Sequence, residues 1–577
     1  MDWNSIPESV RTRVEEWLSY EYDSRTREDV QWLMEHNVPA LLDAFGCDLE
    51  FGTGGLRGIM GVGPNRINIY TVRRTTVGLG HYLREVYGTT QEVRVAIAYD
   101  SRNESIRFAE ETASVLADMG FRVYLYASVR PTPQLSFTVR NLRCHTGVVI
   151  TASHNPKEYN GYKVYWRDGG QVTPPHDGRI MEAIRQATGT HSTRKAVEGG
   201  CIIRLDAEFD EPYVSALLSS MHHPECVAAQ REMGIVYTPI HGAGGGIVPG
   251  LLRRMGFNHV HLVTSQRDTD GNFPTVSSPN PEEPAAMALA MEMGEAQGAD
   301  LVLGTDPDGD RVGAYARNEA GELVRLNGNQ LAVLLAYYQL EWLKEQQGVV
   351  DPYLVRTIVT SPMLDALATS YGVRCEQVLT GFKYIAERIA AQEGHAFFLF
   401  GGEESHGYLV GTDTRDKDAM QACALLAEMT AWAKCQGTTL VGLLEKLYAQ
   451  YGYWYEMQHS LVRQGEAGRN EIAMRMQRLR DVPPTALAGE EVTQILDYQL
   501  GQCSNLTTGN VESIHLPKSN VLQLVTNQGS VLTVRPSGTE PKIKYYASVR
   551  GSYEGFAHSE AAQRLRAEML LESLIAL

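Results

Sequence analysis

At 577 residues the chain exceeds what one hydrophobic core supports, so three to five domains of about 100 to 200 residues are expected. An apolar fraction of 43% with 54 glycines excludes a disordered or fibrous chain and describes a globular α/β protein with many tight turns. The net charge of −17, from 69 acidic and 52 basic residues, disfavours a broad nucleic-acid footprint but leaves room for a local cationic pocket that takes a small anion. The eight cysteines (Cys47, Cys144, Cys201, Cys226, Cys375, Cys423, Cys435, Cys503) are dispersed without zinc-ligand spacing and read as reduced, mostly buried thiols. No basic stretch precedes an apolar core at the start, and no apolar run approaches the ~20 residues that span a bilayer, so a cytoplasmic protein with no membrane partner is expected.

In chain order, residues 10–20 and 25–35 show helical spacing of apolar side chains, a hairpin with Ser24 as cap of the second helix, reading as scaffold or lid. Phe51-Gly-Thr-Gly-Gly-Leu-Arg-Gly58 reads either as a mobile connector or as a loop whose backbone curls round an anion with Arg57 pointing inward. From residue 93 the pattern becomes strand, turn, helix: strands at 93–98, 123–126 and 147–150, with helices at 106–119 and 135–140 between them. The third strand delivers Thr151-Ala-Ser-His-Asn-Pro156, placing Ser153 at a carboxyl end, where open α/β sheets bind ligands. A serine there reads as a turn or cap unless other loops supply chemistry for it. Lys163, near the start of the half-apolar stretch 160–166, reads on its own as a snorkelling surface lysine.

The alternation restarts near Leu205, with strands at 234–237, 259–263 and 300–303 and helices at 248–255 and 281–297. The last strand delivers Thr305-Asp-Pro-Asp-Gly-Asp-Arg311, and Asp306, Asp308 and Asp310 together are too repulsive to stand uncompensated, so hard oxygen ligands for Mg²⁺ are expected. A calcium loop is excluded by spacing, with Arg311 at its sixth place and Arg317 at its twelfth. A third round runs from Leu326: helix 330–344, strand 355–360, a helix to 371, then Thr380-Gly-Phe-Lys383. Strand 396–400 follows and delivers Gly401-Gly-Glu-Glu-Ser-His-Gly407, a loop suited to sugar hydroxyls. Residues 451–466 read as a linker to a different unit, whose strands 521–525 and 531–534 form a hairpin. That hairpin ends in Arg535-Pro-Ser-Gly-Thr-Glu-Pro-Lys-Ile-Lys544, a phosphate cradle of guanidinium, hydroxyls, glycine backbone and lysines.

A hydroxyl nucleophile, a metal, hydroxyl contacts and an anion cradle, each at the end of a strand, are what moving a phosphoryl group between a serine and a sugar requires. On the motifs Thr151-Ala-Ser-His-Asn-Pro156, Asp306-Pro-Asp-Gly-Asp-Arg311, Gly402-Glu-Glu-Ser-His-Gly407 and Arg535-Pro-Ser-Gly-Thr-Glu540, in that order over nearly the whole chain, the protein resembles the α-D-phosphohexomutases, the phosphoglucomutase and phosphomannomutase family. The N-terminal helical segment and the Gly-Thr-Gly-Gly-Leu-Arg-Gly loop resemble the branch of bacterial α-phosphoglucomutases and animal phosphopentomutases.

The resemblance implies an α/β fold of three similar mixed or parallel-sheet domains, at 1–205, 206–325 and 326–455, with a fourth α+β domain at 466–577, around a central cleft. It implies Ser153 carried as phosphoserine, with one Mg²⁺ held by Asp306, Asp308, Asp310 and the serine phosphate. Arg57 and Lys163 become acid/base candidates, with His154 beside the nucleophile. The substrate-binding set becomes Arg311, Thr380, Gly381, Lys383, Glu403, Ser405, His406, Arg535, Ser537, Gly538, Thr539 and Lys542. The reaction implied is interconversion of α-D-glucose 1-phosphate and glucose 6-phosphate through glucose 1,6-bisphosphate, with a mannose or pentose phosphate as alternative. His406 departs from the aromatic that glucose-directed members resemble at this place, and mannose-accepting members carry their histidine one place later. A serine hydrolase is disfavoured: no Gly-x-Ser-x-Gly elbow surrounds Ser153, and neighbours on an extended loop, Ser153 and His154, are expected to point apart. A silent sugar-phosphate binder could have lost Ser153 or an aspartate, and none is lost.

Overall fold

A computed structural model describes residues 3, 6–50, 52, 55–187, 200–463, 465–537 and 542–577. Two compact units emerge, one of residues 1–314 and 411–428, the other of residues 315–410 and 429–577.

The first unit opens on three helices, Glu8–Trp17, Ser24–His36 and Val38–Phe45, where the sequence suggests a hairpin. Asp23, not Ser24, caps the second helix, its carboxylate accepting from the Thr26 amide; an ionised acceptor at this place also complements the helix dipole. These helices bury Val14, Trp17, Val30 and Phe45 together with Tyr70 of the long helix Ile69–Tyr87. That helix begins in a capping box: Asn68 takes the Tyr70 and Thr71 amides, and the Thr71 hydroxyl takes the Asn68 amide.

Its first sheet comprises β1 (Gly55–Ile59), β2 (Arg94–Tyr99), β3 (Arg122–Tyr126), β4 (Thr146–Ile150), β5 (Tyr159–Trp166) and β6 (Cys201–Leu205), in the order β1-β5-β4-β2-β3-β6. The strands β4, β2, β3 and β6 run parallel, whereas β5 runs antiparallel to both β4 and β1, so the sheet is mixed. Alternation along each strand sends side chains to opposite faces. Val95, Ile97, Val123, Leu125, Val148, Ile150, Tyr162 and Val164 pack under helices Ile69–Tyr87 and Ser105–Asp118. Ala96, Ala98, Tyr126, Val149 and Tyr165 face the other way, against Leu135 and Val139 of helix Thr132–Asn141. Because both faces are covered, β4 is buried along its whole length, and its residues Gly147 to Ile150 read in sequence as an unbroken apolar run. Of the segment read as a connector or an anion loop, Gly55–Gly58 lie in strand β1, with Arg57 directly opposite Gly161 of β5; Phe51, Thr53 and Gly54 lie outside the described residues. At Gly161 a Cβ would stand 2.5 Å from the Thr151 carbonyl oxygen, so only glycine lets β5 pass beneath the serine loop.

In the second sheet of this unit β7 (Gly234–Thr238) lies between β8 (His259–Leu262) and β9 (Leu301–Thr305), both parallel to it. Every residue of β9 is buried, and its carboxyl end delivers Asp306.

In the second unit, Arg374–Val378, Pro352–Thr357, Phe397–Glu403 and Gly407–Val410 form a four-stranded sheet in that order, the first three parallel and the last folded back as a hairpin. An eight-stranded antiparallel sheet follows, covered by helices Gly465–Asp481 and Phe556–Ile575, whose Met476, Leu479, Leu570 and Leu574 join Leu532, Val534 and Tyr545 in one core. Residues 453–462, expected in a linker, are a ten-residue strand, Tyr453–Val462, paired along its length with Lys542–Gly551. Its face is only half buried, and such a strand lacks the dense apolar alternation that would have marked it. Among the described residues the fold is α/β with three helix-covered sheets and a β-rich fourth, as expected from the sequence.

Candidate active site

The loop after β4 turns tightly, the Asn155 amide reaching the Ala152 carbonyl at 3.2 Å. Ser153 sits in it with φ +53°, a left-handed conformation rare for a residue with a Cβ, and is 3% exposed. Its hydroxyl donates to Asp306 Oδ2 at 2.7 Å. The left-handed turn also brings His154 Nδ1 to 3.2 Å from Ser153 Oγ, so the two neighbours do not point apart as an extended loop would make them. Burial, with the Arg311 and Arg57 guanidiniums, pushes the His154 imidazole well below its ordinary pKa, so it is neutral at neutral pH.

Asp306, Asp308 and Asp310 are all buried and each offers a carboxylate oxygen within 4.8 Å of the others. The turn that gathers them needs Gly309 at φ +66°, where a Cβ would also meet Pro131 Cβ at 2.8 Å. Asp306 Oδ1 accepts the amides of Asp310 and Arg311 at 3.0 and 3.1 Å. Asp308 Oδ2 accepts from Lys163 Nζ at 2.8 Å and Thr132 Oγ1 at 2.9 Å. Asp310 Oδ2 faces Lys163 Nζ at 3.3 Å and Lys417 Nζ at 3.2 Å. The remaining oxygens, Asp308 Oδ1 and Asp310 Oδ1, are buried without a hydrogen-bond partner; Asp310 Oδ1 has Arg311 Nε at 3.8 Å. Buried carboxylate oxygens left open in this way are costly, and a hard divalent cation is the group that satisfies them, so the residues fit Mg²⁺.

The electrostatics divide the triad. Burial, followed by Asp308 and Asp310, raises the Asp306 carboxyl well above its ordinary range. Burial would raise Asp310 too, but Lys417, Lys163 and Arg311 outweigh it and hold Asp310 far below that range. Lys163 is buried, not snorkelling: burial lowers its pKa, and Asp308 and Asp310 more than reverse this. Alternation explains its position, because Gly161, Lys163 and Tyr165 share the β5 face opposite Tyr162 and Val164.

Lys417 was not singled out from the sequence. It lies in Thr414-Arg-Asp-Lys-Asp418, a segment pinned to the first unit by Tyr165 Oη donating to Asp416 Oδ2 at 2.6 Å, Tyr213 Oη donating to Asp418 at 2.9 Å, and Ser136 Oγ accepting the Arg415 amide at 2.8 Å. A cluster of four charges entering an apolar helix, Ala419–Cys435, was the available signal, since buried charges need a reason. Arg311 is brought to the triad and also grips Glu282 Oε1 at 2.5 Å. Arg57 is exposed on β1, within electrostatic reach of His154 and Arg102.

In the second unit Glu403 Oε1 accepts the Gly381 amide at 2.9 Å, joining the hydroxyl-reading loop to the start of helix Phe382–Gln392. Thr380 Oγ1 is buried without a hydrogen-bond partner, and buried Lys383 holds its ammonium 4.9 Å from the Tyr384 ring centre. Burial and then Glu403 push Glu404 up to about 7, against the opposing charges of Lys544 and Arg535. His406 takes φ +62° and is buried, with Ser405 half-buried beside it. Arg535 stands opposite Lys544 in the antiparallel ladder, and the Ser537 amide donates to the Lys542 carbonyl at 2.7 Å. Gly538 and Thr539 lie outside the described residues.

Three family profiles match: Phosphoglucomutase/phosphomannomutase, alpha/beta/alpha domain I over residues 48–191, domain II over 211–321 and domain III over 327–451. A Staphylococcus epidermidis phosphoglucomutase is 35% identical over 535 residues, 92% of this chain and 93% of that protein. A Staphylococcus aureus phosphoglucomutase is 35% identical over 88% of this chain and 91% of its own length. Two solved structures share the fold: Paramecium parafusin, a phosphoglucomutase, in its open form (TM-score 0.68, 16% identity, 92% and 95% covered), and a phosphoglucomutase/phosphomannomutase family protein of Burkholderia thailandensis (TM-score 0.66, 19% identity, 91% and 97% covered).

Proposed function

Because the chain belongs to the phosphoglucomutase/phosphomannomutase family, we propose that it interconverts α-D-glucose 1-phosphate and glucose 6-phosphate by way of a phosphorylated Ser153. The observation that carries this is the Ser153 hydroxyl placed 2.7 Å from Asp306, within a carboxylate triad that keeps two buried oxygens open. Asp306, Asp308 and Asp310, with the serine phosphate, would hold Mg²⁺, which when bound supplies charge neutralisation for the phosphoryl oxygens.

The chain's own groups do the rest. Ser153 Oγ gives up its hydroxyl proton as it accepts the phosphoryl group and the bond from phosphorus to the sugar oxygen breaks, and the departing sugar oxygen takes a proton; in the reverse transfer a sugar hydroxyl loses its proton as it attacks the phosphoserine, and Ser153 Oγ regains one. Lys163, charged and fixed between Asp308 and Asp310, and Arg57, on the neighbouring strand, are the proton-handling and charge-balancing groups. Neutral His154 restrains the Ser153 hydroxyl. Glu403, Ser405, His406 and the Thr380 to Lys383 turn supply hydroxyl-reading chemistry, and Arg535, Ser537 and Lys542 with Gly538 and Thr539 supply an anion cradle, both matching a hexose phosphate. A serine that gives its phosphate to one monophosphate makes glucose 1,6-bisphosphate, and one triad serves both ends only if the sugar turns round between transfers. Hexose phosphates are cytoplasmic anions, and the eight free cysteines fit a reducing compartment; no described helix is long and apolar enough to cross a membrane.

A coupled assay on glucose 1-phosphate, mannose 1-phosphate and ribose 1-phosphate side by side tests the reading. The glucose substrate should be turned over with the highest kcat/KM; a pentose or mannose preference would displace glucose from the assignment.

A further inference from the structure

Beneath the serine loop lies a buried ion pair that none of the roles above uses. Arg102, at the carboxyl end of β2, has a wholly buried side chain whose Nε stands 3.2 Å from Asp100 Oδ2. Its Nη2 donates to the carbonyls of Ser153 and Asn155, each at 2.5 Å, and its Nη1 to those of Pro156 at 2.9 Å and Tyr159 at 3.1 Å. One guanidinium therefore ties four carbonyls of a single loop. Asp100 closes the ring from the other side: its Oδ2 accepts from Thr151 Oγ1 at 2.6 Å, and Thr151 Oγ1 accepts the Ser153 amide at 2.8 Å. Its Oδ1 accepts the Arg102 amide at 3.0 Å and the Ser105 hydroxyl at 2.8 Å. The buried Phe273 ring covers the guanidinium, 5.2 Å from its central carbon.

Both peptide groups of Ser153 are thus anchored to one carboxylate–guanidinium pair. The serine needs an anchor, because φ +53° puts its Cβ against the neighbouring carbonyl and an unheld serine would relax to negative φ. Relaxation would swing Oγ away from Asp306. The four Nη hydrogens are consumed by loop carbonyls, so Arg102 does not reach a phosphate; it acts through backbone. Lysine could not replace it, since an ammonium cannot span four carbonyls in a plane.

We propose that Arg102, oriented by Asp100, is a positioning residue that locks Ser153 in the left-handed conformation in which its hydroxyl both receives and returns the phosphoryl group. This rests on reading Ser153 as the phosphoryl carrier.

The test uses full-length Arg102→Lys and Arg102→Ala, with intact mass and kinetics measured on each. Misplacing a reacting atom by an ångström costs about a hundredfold, so Arg102→Lys should lower kcat by about that factor while KM stays at its wild-type value. Guanidinium at millimolar concentration should restore at least about tenfold of the loss in Arg102→Ala and nothing in Arg102→Lys, whose ammonium fills the site. If Arg102→Ala does not fold, the split between kcat and KM in Arg102→Lys carries the test alone. Wild-type kcat in Arg102→Lys, or a loss shared by kcat and KM without guanidinium rescue of Arg102→Ala, overturns the proposal. A wild-type protein that never carries phosphate on Ser153 overturns the carrier reading first, and this proposal with it.

Discussion

Asp308→Asn should abolish turnover while leaving the fold nearly as stable as before, and the geometry says why. The amide is isosteric, so no cavity opens. Its oxygen can keep the hydrogen bonds from Lys163 Nζ and Thr132 Oγ1, which leaves the NH₂ group where the open Oδ1 stood. With an effective dielectric of about 20, each ionised carboxylate pair within 4.8 Å repels by about 3.5 kcal/mol, so removing the Asp308 charge relieves about 3.5 kcal/mol from Asp310 and at most about as much again from Asp306, whose raised pKa favours its proton. The same substitution removes an attraction to Lys163 at 2.8 Å of about 6 kcal/mol. The two largely offset, and at about 1–2 °C per kcal/mol for a unit of this size the metal-free melting temperature should move by no more than about 5 °C. Metal and transition state have no such compensation: a donor replaces an open acceptor, and a carboxylate is lost from the set that faces the transferred charge. With glucose 6-phosphate formation coupled to NADPH production at saturating Mg²⁺, kcat/KM should fall by about a thousandfold or more, and added Mg²⁺ should no longer raise the melting temperature. A variant that keeps a tenth of wild-type kcat, or that melts more than about 10 °C lower without metal, would refute the reasoning.

Ser153→Ala should remove both turnover and the fraction of chains one phosphate heavier, read by intact mass; full activity in that variant would end the carrier assignment. Label placed on the phosphate of one glucose monophosphate should appear on other sugar molecules, because the bisphosphate route passes it through Ser153; label that stays on its own sugar would exclude that route. Glu456 supplies a pH signature. Burial, against Ser361 and Arg356, pushes its carboxyl up to about 7, so between about pH 4.5 and 7 the native state holds more protons than the unfolded chain and its stability falls as pH rises. Glu456→Gln should therefore match wild type in urea melts at pH 5 and exceed it at pH 8, whereas equal midpoints at both pH values would mean the carboxyl is not held neutral.

Elements with dense apolar periodicity were legible in the sequence, to within a few residues at their ends. Helix Val248–Met255 stands where its spacing placed it, and strands β4 and β9 could be read because burial on both faces leaves no polar interruption. Strand Tyr453–Val462 escaped because register with Lys542–Gly551, a partner some ninety residues away, decides its conformation, and no local pattern encodes that pairing. Asp23 took the cap from Ser24 on a similar margin: both residues suit the position, and only the backbone's exit from the preceding turn selects between them.

The triad and Ser153 were visible because chemistry and spacing coincide within single loops. Lys163 illustrates the opposite case. A lysine among Tyr162, Val164 and Tyr165 has the sequence signature of a stem lying on apolar surface, and what buries it is the carboxylate pair carried by a loop about 145 residues downstream. Lys417 reaches the same carboxylates from farther still, in a segment that Asp416 and Asp418 fasten through the hydroxyls of Tyr165 and Tyr213. Three acids held this close require cations nearby, so the triad itself predicts that compensating lysines exist. It cannot say which of the 52 basic residues they are, because that depends on which strand face and which distant segment the fold brings beside it.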